Sequence, residues 1–111
     1  MKTYHGFRDR NQTAHVYVRS GRARRPLRMR LDLDNHSPTG LEWGYPGSGP
    51  AQLALALLAD ALHDSHRALR LHQPFKWKVV ALLPTDEPWT MTDDEVRAHA
   101  DALDAEMMAH G

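Results

Sequence analysis

Apolar and polar residues alternate along much of residues 1–45, a pattern typical of short antiparallel strands. Residues 3–8 and 14–19 flank a polar turn and are predicted to pair as a hairpin. Residues 27–33 alternate strictly, so we expect a third strand with one apolar face. Residues 41–43 predict a further short strand. The apolar face of the third strand would consist of Leu27, Met29, Leu31 and Leu33.

A segment at residues 43–52, called the glycine loop below, separates these strands from a strongly apolar stretch. It holds three glycines and two prolines, which is typical of a sharp turn before a helix. Ser48 or Gly49 is expected to cap that helix, and Gln52 would complete a capping box if Gly49 is the cap. Residues 53–62 are Leu and Ala on nearly every side, which predicts a helix buried all round that crosses the inner face of the sheet.

The second half of the chain predicts a shorter helix and another strand. Ser65 is expected to cap a helix over residues 66–72, which Pro74 ends. Residues 75–83 are rich in aromatic and β-branched side chains and predict a strand, followed by a loop at residues 84–88. The side chains expected to face inward are Phe75, Trp77 and Val79, with Lys76 and Lys78 on the opposite face.

Thr92 and Glu95 have the spacing of a capping box, and the two acids between them suit the positive end of a helix. The elements together predict a single α+β domain over residues 1–111. Its antiparallel sheet would have about four to five strands, with a buried central helix and a C-terminal amphipathic helix packed on one face. The expected apolar stripe of the last helix is Val96, Ala100, Leu103 and Met107.

Composition narrows the classes of function. The 111 residues include no cysteine, which excludes disulfides, thiol nucleophiles and cysteine-based zinc sites. No apolar run approaches about 18 residues, so no membrane span or membrane partner is predicted. Residues 1–10 are polar and show no signal-peptide core, and a cytoplasmic protein is the expectation.

The formal net charge of zero conceals a strong asymmetry. Residues 1–30 hold nine Lys and Arg against one acid, whereas residues 31–111 hold five against thirteen. Either the two halves neutralise each other within the fold, or the basic half binds nucleic acid or an acidic partner. A basic face of the sheet with an aromatic side chain is one way to hold a phosphate backbone. The candidate macromolecule-binding residues are Tyr17, Arg19, Arg22, Arg24, Arg25, Arg28 and Arg30.

The glycine loop has the makeup of an anion site, because its backbone N–H groups converge where a helix begins. It matches neither the Walker A pattern, nor the dinucleotide fingerprint, nor a serine nucleophile elbow. The alternative is that the loop serves only to turn the chain. If Glu42 faces inward, its carboxylate itself occupies the start of the helix and leaves no room for a ligand. The candidate ligand-binding residues are Gly47, Ser48, Gly49, Gln52 and Glu42.

The chain has eight histidines. Asp60, His63 and His66 would share a face if one helix ran through all three, and two histidines with a carboxylate can bind a metal. The missing His-Glu-x-x-His pattern and the helix break expected at Ser65 favour a surface cluster without metal. We therefore predict no metal site, no cofactor and no catalytic residue.

The run from Leu41 to Ala56 resembles the signature of a family of small uncharacterised proteins. The core of this run is Trp-Gly-Tyr-Pro-Gly-Ser-Gly-Pro-Ala-Gln-Leu-Ala-Leu-Ala. The family is a domain of unknown function found in bacteria, archaea, plasmids and phages. Tyr4-His5-Gly6, Ser37-Pro38-Thr39-Gly40 and Phe75-Lys76-Trp77 extend the resemblance across residues 3–83. The resemblance implies a compact domain, often on mobile elements, where inhibition of a host defence system is a conceivable role.

These observations favour a non-enzymatic binding or regulatory module that acts through macromolecular contacts. Zero net charge works against non-specific affinity for nucleic acid, so a protein partner is favoured. One alternative is a nucleic-acid-binding protein that uses the basic face of the sheet. The other is a small-ligand or anion-binding protein, or an enzyme, at the start of the long helix. The sequence leaves a homo-oligomer open.

Overall fold

The computed structural model describes residues 1–110 and shows an α+β fold, which confirms the predicted class. Its strands are β1 (Lys2–Arg8), β2 (Ala14–Ser20), β3 (Ala23–Pro26) and β4 (Trp89–Thr92). Its helices are α1 (Ser48–Leu62), α2 (Ser65–Lys78) and α3 (Asp93–His110), with a short 3-10 turn (Val80–Leu82) between α2 and β4.

The four strands form one antiparallel sheet in the order β3-β2-β1-β4, within the predicted range of four to five. β1 and β2 are therefore the central strands, and their register pairs Tyr4 with Val18 and His5 with Tyr17. Paired residues share a face of the sheet, and successive residues alternate between faces. Tyr4 and Val18 enter the core, whereas His5 and Tyr17 lie on the opposite side, called the outward face below.

α1 is the buried central helix that the sequence predicts. All residues from Gly49 to Ala59 are buried, and its leucines share one core with the inner face of the sheet and with α2 and α3. The N-cap is Gly47 rather than Ser48 or Gly49, and no side chain caps this end. Because the helix begins earlier than expected, Gln52 lies beyond its first turn and forms no capping box.

Gln52 lies on α1 without solvent exposure and holds the loop that joins β3 to α1. Its Oε1 accepts hydrogen bonds from the backbone N–H groups of His36 at 2.8 Å and Ser37 at 3.2 Å. Its Nε2 donates to the backbone carbonyl oxygens of Met29 at 2.6 Å and Asp34 at 3.1 Å. Both donors and both acceptor positions of this amide are therefore used within the chain.

The strand predicted at residues 27–33 is wrong, because the chain between β3 and α1 is irregular. Arg30 has a left-handed φ of 60°, which an extended strand cannot accommodate. Two of the residues expected on one apolar face therefore differ in exposure: Leu27 is buried, whereas Leu31 is 38% exposed. The short strand predicted at residues 41–43 is wrong too, because this segment is irregular and does not join the four-stranded sheet.

The strand predicted at residues 75–83 is wrong as well, because α2 continues to Lys78 with Pro74 inside it. Leu71 and Phe75 lie one helical turn apart and both are fully buried. Their packing offsets the single backbone hydrogen bond that the proline cannot donate. Of the expected inward set, Phe75 is buried, Val79 is half-buried and Trp77 is 58% exposed.

The two later helices begin at side-chain caps. Asp64, not Ser65, caps α2 through a hydrogen bond from the Arg67 N–H at 3.1 Å. The capping box predicted before α3 is confirmed: the Thr92 N–H donates to Glu95 Oε1, and the Glu95 N–H donates to Thr92 Oγ1, each at 3.1 Å.

β4 is an element that the sequence reasoning missed, since its four residues fall between a proline-rich loop and a capping box. Trp89 and Met91 enter the core, and Thr90 is exposed on the outward face. On α3, the expected stripe is buried at Val96, Ala100 and Leu103, but Met107 is 41% exposed. Among the described residues, every helix is too short or too polar to cross a membrane.

We expect Gln52→Leu to lower the free energy of unfolding by about 2–4 kcal/mol, because four buried backbone groups lose their hydrogen-bond partner. Urea unfolding followed by circular dichroism measures this. Gln73→Leu, the same change at an exposed position of α2, is the matched control and should alter stability by no more than about 0.5 kcal/mol. Equal losses in the two variants would contradict the role assigned to Gln52.

Candidate functional site

The start of α1 opens onto a cleft of about 610 Å³ beside the glycine loop. Glu42, Tyr45, Ser48 and Gly49 line one side, and Thr39 lies on the facing loop. Because no side chain caps α1, this end of the helix keeps the partial positive charge of its first N–H groups. The cleft thus suits a small polar ligand in size and in lining.

Glu42 does not occupy the helix end. Its carboxylate pairs with the Arg8 guanidinium, with Arg8 Nη2 2.9 Å from Oε1 and Arg8 Nη1 3.2 Å from Oε2. That guanidinium also lies over the Trp43 ring, 4.6 Å from its centroid. The Arg8 pairing therefore fixes the direction of the Glu42 side chain and leaves the end of α1 without a carboxylate cap.

Close packing explains two of the glycines. A Cβ added at Gly49 would lie 2.6 Å from Glu42 Cβ, so only glycine lets α1 approach that residue. Gly44 has a φ of +88°, and a Cβ there would lie 2.1 Å from Thr85 Cγ2. These contacts supply a structural reason for the glycine loop that does not depend on a ligand.

The cleft gathers three of the five predicted ligand-binding residues, namely Glu42, Ser48 and Gly49. Gly47 is the N-cap of α1. Gln52 is turned toward the loop between β3 and α1, where its amide is fully hydrogen-bonded. A ligand role for this set stays a prediction.

Asp60, His63 and His66 do not share one helical face, contrary to the arrangement considered from the sequence. α1 ends at Leu62, and His63 has a left-handed φ of 53°. His63 and His66 are exposed, whereas Asp60 faces the sheet.

Asp60 instead accepts hydrogen bonds from three side chains of the sheet. Arg25 Nη2 lies 2.6 Å from Oδ1, and the Tyr4 hydroxyl and Lys2 Nζ lie 2.7 Å and 3.2 Å from Oδ2. Burial disfavours the charged carboxylate, but these bonds outweigh it and hold the pKa of Asp60 below its usual value. Burial, followed by the bond to Asp60, raises the pKa of Tyr4, so its hydroxyl remains a donor.

The predicted basic residues divide between two surfaces. Arg25, Arg28 and Arg30 line a groove of about 320 Å³ together with Lys2 and Asp60. Arg30 also pairs with Asp32, at 3.1 Å between Nε and Oδ1. The remaining members, Tyr17, Arg19 and Arg24, lie on the outward face, and Arg22 lies in the turn between β2 and β3.

Four rings cluster on the outward face, across the two central strands. Phe7 stacks on His15 and on Tyr17, with centroid distances of 5.2 Å and 5.9 Å and interplanar angles of 23° and 11°. His5 lies 5.4 Å from Phe7 on the same strand. The core residues of the three helices pack on the inner face, so this ring cluster is only half-buried. We call it the aromatic platform.

Arginines adjoin the aromatic platform. The Arg24 guanidinium lies over the Tyr17 ring, 4.0 Å from its centroid. A shallow groove of about 380 Å³ runs along this end of the platform and is lined by Thr3, His5, Tyr17, Arg19, Arg24 and Thr90.

Of the four rings, only Tyr17 is among the residues that the sequence predicts to bind a macromolecule. Strand alternation places His15 on the same face as Tyr17, but the meeting of these two rings with His5 and Phe7 depends on the register of β1 against β2.

Three acids of α3, Asp101, Asp104 and Glu106, pair with cations of α2 rather than with the basic N-terminal segment. Arg67 contacts Asp101 and Asp104 at 2.7 Å and 2.8 Å. Arg70 also pairs with Asp104, and Lys78 pairs with Glu106. Within residues 1–110, in contrast, Arg19, Arg22 and Arg24 form no ion pair. Neutralisation between the two halves of the chain is therefore partial, and the outward face remains basic.

A comparison with protein-family models matches residues 4–102 to a model described as "Family of unknown function (DUF6166)". This match confirms the resemblance to a family of uncharacterised proteins. Searches of the curated proteins and of the solved structures found no match.

We expect the stability that Asp60 contributes to depend on pH. A carboxyl whose pKa is lowered by folding stabilises the protein above its unfolded pKa, and this stabilisation is lost as the pH falls through the folded value. Asp60→Asn should therefore lower the free energy of unfolding clearly at neutral pH and less near pH ~3, because below the ordinary aspartate pKa of about 3.9 the unfolded chain binds a proton at this carboxyl and the stabilisation declines. Urea unfolding at both pH values measures the difference.

Asp86→Asn is the matched control, because Asp86 is exposed and the structure gives it no ion pair within the described residues. It should change stability equally little at both pH values. A destabilisation by Asp60→Asn that is as large near pH ~3 as at neutral pH would show that its charge is not what stabilises the fold.

Proposed function

We propose that this chain, which belongs to the DUF6166 family of unknown function, is a binding module that takes up single-stranded nucleic acid on the outward face of its sheet. The aromatic platform carries this proposal. It lies across β1 and β2, the two central strands, and three of its rings lie nearly parallel.

A half-exposed cluster of aromatic rings suits unpaired bases. Each base has a π-face that can stack on a side-chain ring whatever its identity, and this stacking contributes about 1–3 kcal/mol per base. In a duplex those faces are covered by neighbouring base pairs, so a stacking surface selects single strands. Phe7 and Tyr17 are the largest rings of the platform and are the side chains we assign to this contact.

The charges next to the platform fit a phosphate backbone. Arg19 and Arg24 line the groove beside Tyr17, and Arg22 lies in the adjoining turn. Since three acids of α3 pair with α2 and two more pair with Arg97 of α3, the zero net charge of the whole chain does not describe this face. Local charge thus weakens the argument that favoured a protein partner, and the ring geometry favours nucleic acid.

The cleft beside the glycine loop supports a second candidate function, the binding of a small polar ligand. Its volume of about 610 Å³ and the uncapped start of α1 favour it. Tyr45 lines this cleft, is 48% exposed and lies outside the aromatic platform. Substitution of Tyr45 therefore separates the two candidates.

We expect Tyr17→Ala to weaken the binding of short single-stranded oligonucleotides about 5- to 100-fold, because one stacking partner is lost. Fluorescence anisotropy with labelled mixed-sequence RNA and DNA strands at low salt measures the dissociation constant, and a duplex of the same sequence should bind more weakly. Tyr17 lies on the outward face, so the circular dichroism spectrum should stay unchanged.

Tyr45→Ala is the matched control for this experiment and should leave the affinity unchanged. Failure of the wild-type chain to bind any single strand at low salt would eliminate nucleic acid as the partner. Equal losses in Tyr17→Ala and Tyr45→Ala would show that the platform is not the contact surface.

Salt dependence provides a further test of the same face. Arg19→Gln should reduce the slope of log affinity against log salt concentration by about 0.7–1, the contribution of one phosphate contact. Arg70→Gln makes the same change on α2, where Arg70 pairs with Asp104, and should leave the slope as it is in the wild type. An unchanged slope in Arg19→Gln would remove Arg19 from the interface.

A further inference from the structure

Three polar side chains that are separated in sequence converge between α2 and the loop that joins β3 to α1. His36 Nε2 lies 3.0 Å from His72 Nε2 and 3.2 Å from Asp34 Oδ2. The potential ligand atoms of all three residues lie within 4.8 Å of one another. His72 is buried, His36 is half-buried and Asp34 is exposed, so one side of the cluster opens to solvent.

His72 is oriented as a metal ligand would be. Its Nδ1 lies 2.6 Å from the Leu69 carbonyl oxygen, a contact that assigns the proton to Nδ1. The lone pair on Nε2 then points toward His36. A histidine that binds a metal through one nitrogen usually donates its other N–H to a carbonyl or carboxylate in this way, which fixes the tautomer and the ring direction.

The proton count favours a cation at this place. With His72 Nε2 as an acceptor and Asp34 as a carboxylate, His36 can offer at most one proton from its Nε2 to two acceptors. The amide of Gln73, 3.4 Å from His72 Nε2, is too distant for a strong hydrogen bond. A cation at the centre satisfies all three lone pairs together.

The distances also match a small tetrahedral ion. Zinc binds imidazole nitrogen and carboxylate oxygen at about 2.0–2.2 Å, which places neighbouring ligand atoms of a tetrahedral site about 3.3–3.6 Å apart. The separations of 3.0 Å and 3.2 Å around His36 lie just below this range, so a small outward shift of the side chains admits the ion. The carboxylate of Asp34, 47% exposed, is free to adjust toward His72.

Gln52 supports the two ligands on the loop. It accepts a hydrogen bond from the His36 N–H and donates one to the Asp34 carbonyl oxygen, so the backbone on both sides of the pair is fixed from the core. α2 fixes the third ligand. The cluster is therefore held from two directions before any ion binds.

We propose that Asp34, His36 and His72 bind one divalent transition-metal ion, with zinc as the best fit. Water would take the fourth position on the exposed side. The ion would tie the loop to α2 and so steady the segment that forms the far wall of the cleft. The site is independent of the aromatic platform and does not rest on nucleic-acid binding.

The test uses the untagged full chain, freed of metal with a chelator and titrated with zinc chloride in a calorimeter. We expect one zinc ion per chain, with affinity lowered at least about tenfold in His36→Ala and in Asp34→Asn. Both side chains are partly exposed, so these variants should keep the wild-type circular dichroism spectrum. His66→Ala, which removes an exposed histidine from the same helix as His72, is the matched control and should bind zinc like the wild type.

Cobalt supplies a second readout that reports the ligands directly. One equivalent of Co²⁺ should give the visible absorption of a four-coordinate complex in the wild type and in His66→Ala, and this absorption should be lost in His36→Ala. No zinc uptake by the wild-type chain would overturn the proposal and leave a hydrogen-bonded histidine pair. Undiminished zinc binding in both His36→Ala and Asp34→Asn would overturn it too, by placing the ion on other histidines.

Discussion

The amide of Gln52 is the interaction on which the rest of this structure depends. α1 is apolar on all sides and can lie in the middle of the domain only if its single internal amide is fully hydrogen-bonded. The four partners of that amide all belong to the loop between β3 and α1. Burial of the helix therefore requires the loop to adopt this conformation. The wall of the cleft and the positions of Asp34 and His36 follow from it.

A second constraint is the pairing of charges along the helices. α2 and α3 form ion pairs with each other, and among the described residues the sheet contributes Lys2 and Arg25 to Asp60 and Arg8 to Glu42. The chain can therefore have no net charge and still present a basic face. Net charge alone describes such a protein poorly, because association responds to the local field near the contact surface.

Elements with local signals could be predicted from the sequence, and elements decided by tertiary contacts could not. The alternation of β1 and β2, the apolar run of α1 and the capping box of α3 need no knowledge of the rest of the chain. Residues 27–33 alternate like a strand, yet the loop hydrogen bonds to Gln52 and the left-handed Arg30 prevent one. The aromatic platform required the register of β1 against β2, and the meeting of His36 with His72 required the path of the loop.

Sheet stability alone does not account for the outward face. Cross-strand aromatic pairs such as His5 with Tyr17 and Phe7 with His15 stabilise a sheet by about 0.2–1 kcal/mol each, so the stacking by itself could be structural. The arginines around it have no such explanation, since within the described residues Arg19 and Arg22 gain no carboxylate partner. Clustered like charges repel one another and oppose folding. An anionic partner with stacking groups would account for both features of this uncovered face, because its charges would pair with the arginines and its stacking groups would contact the rings.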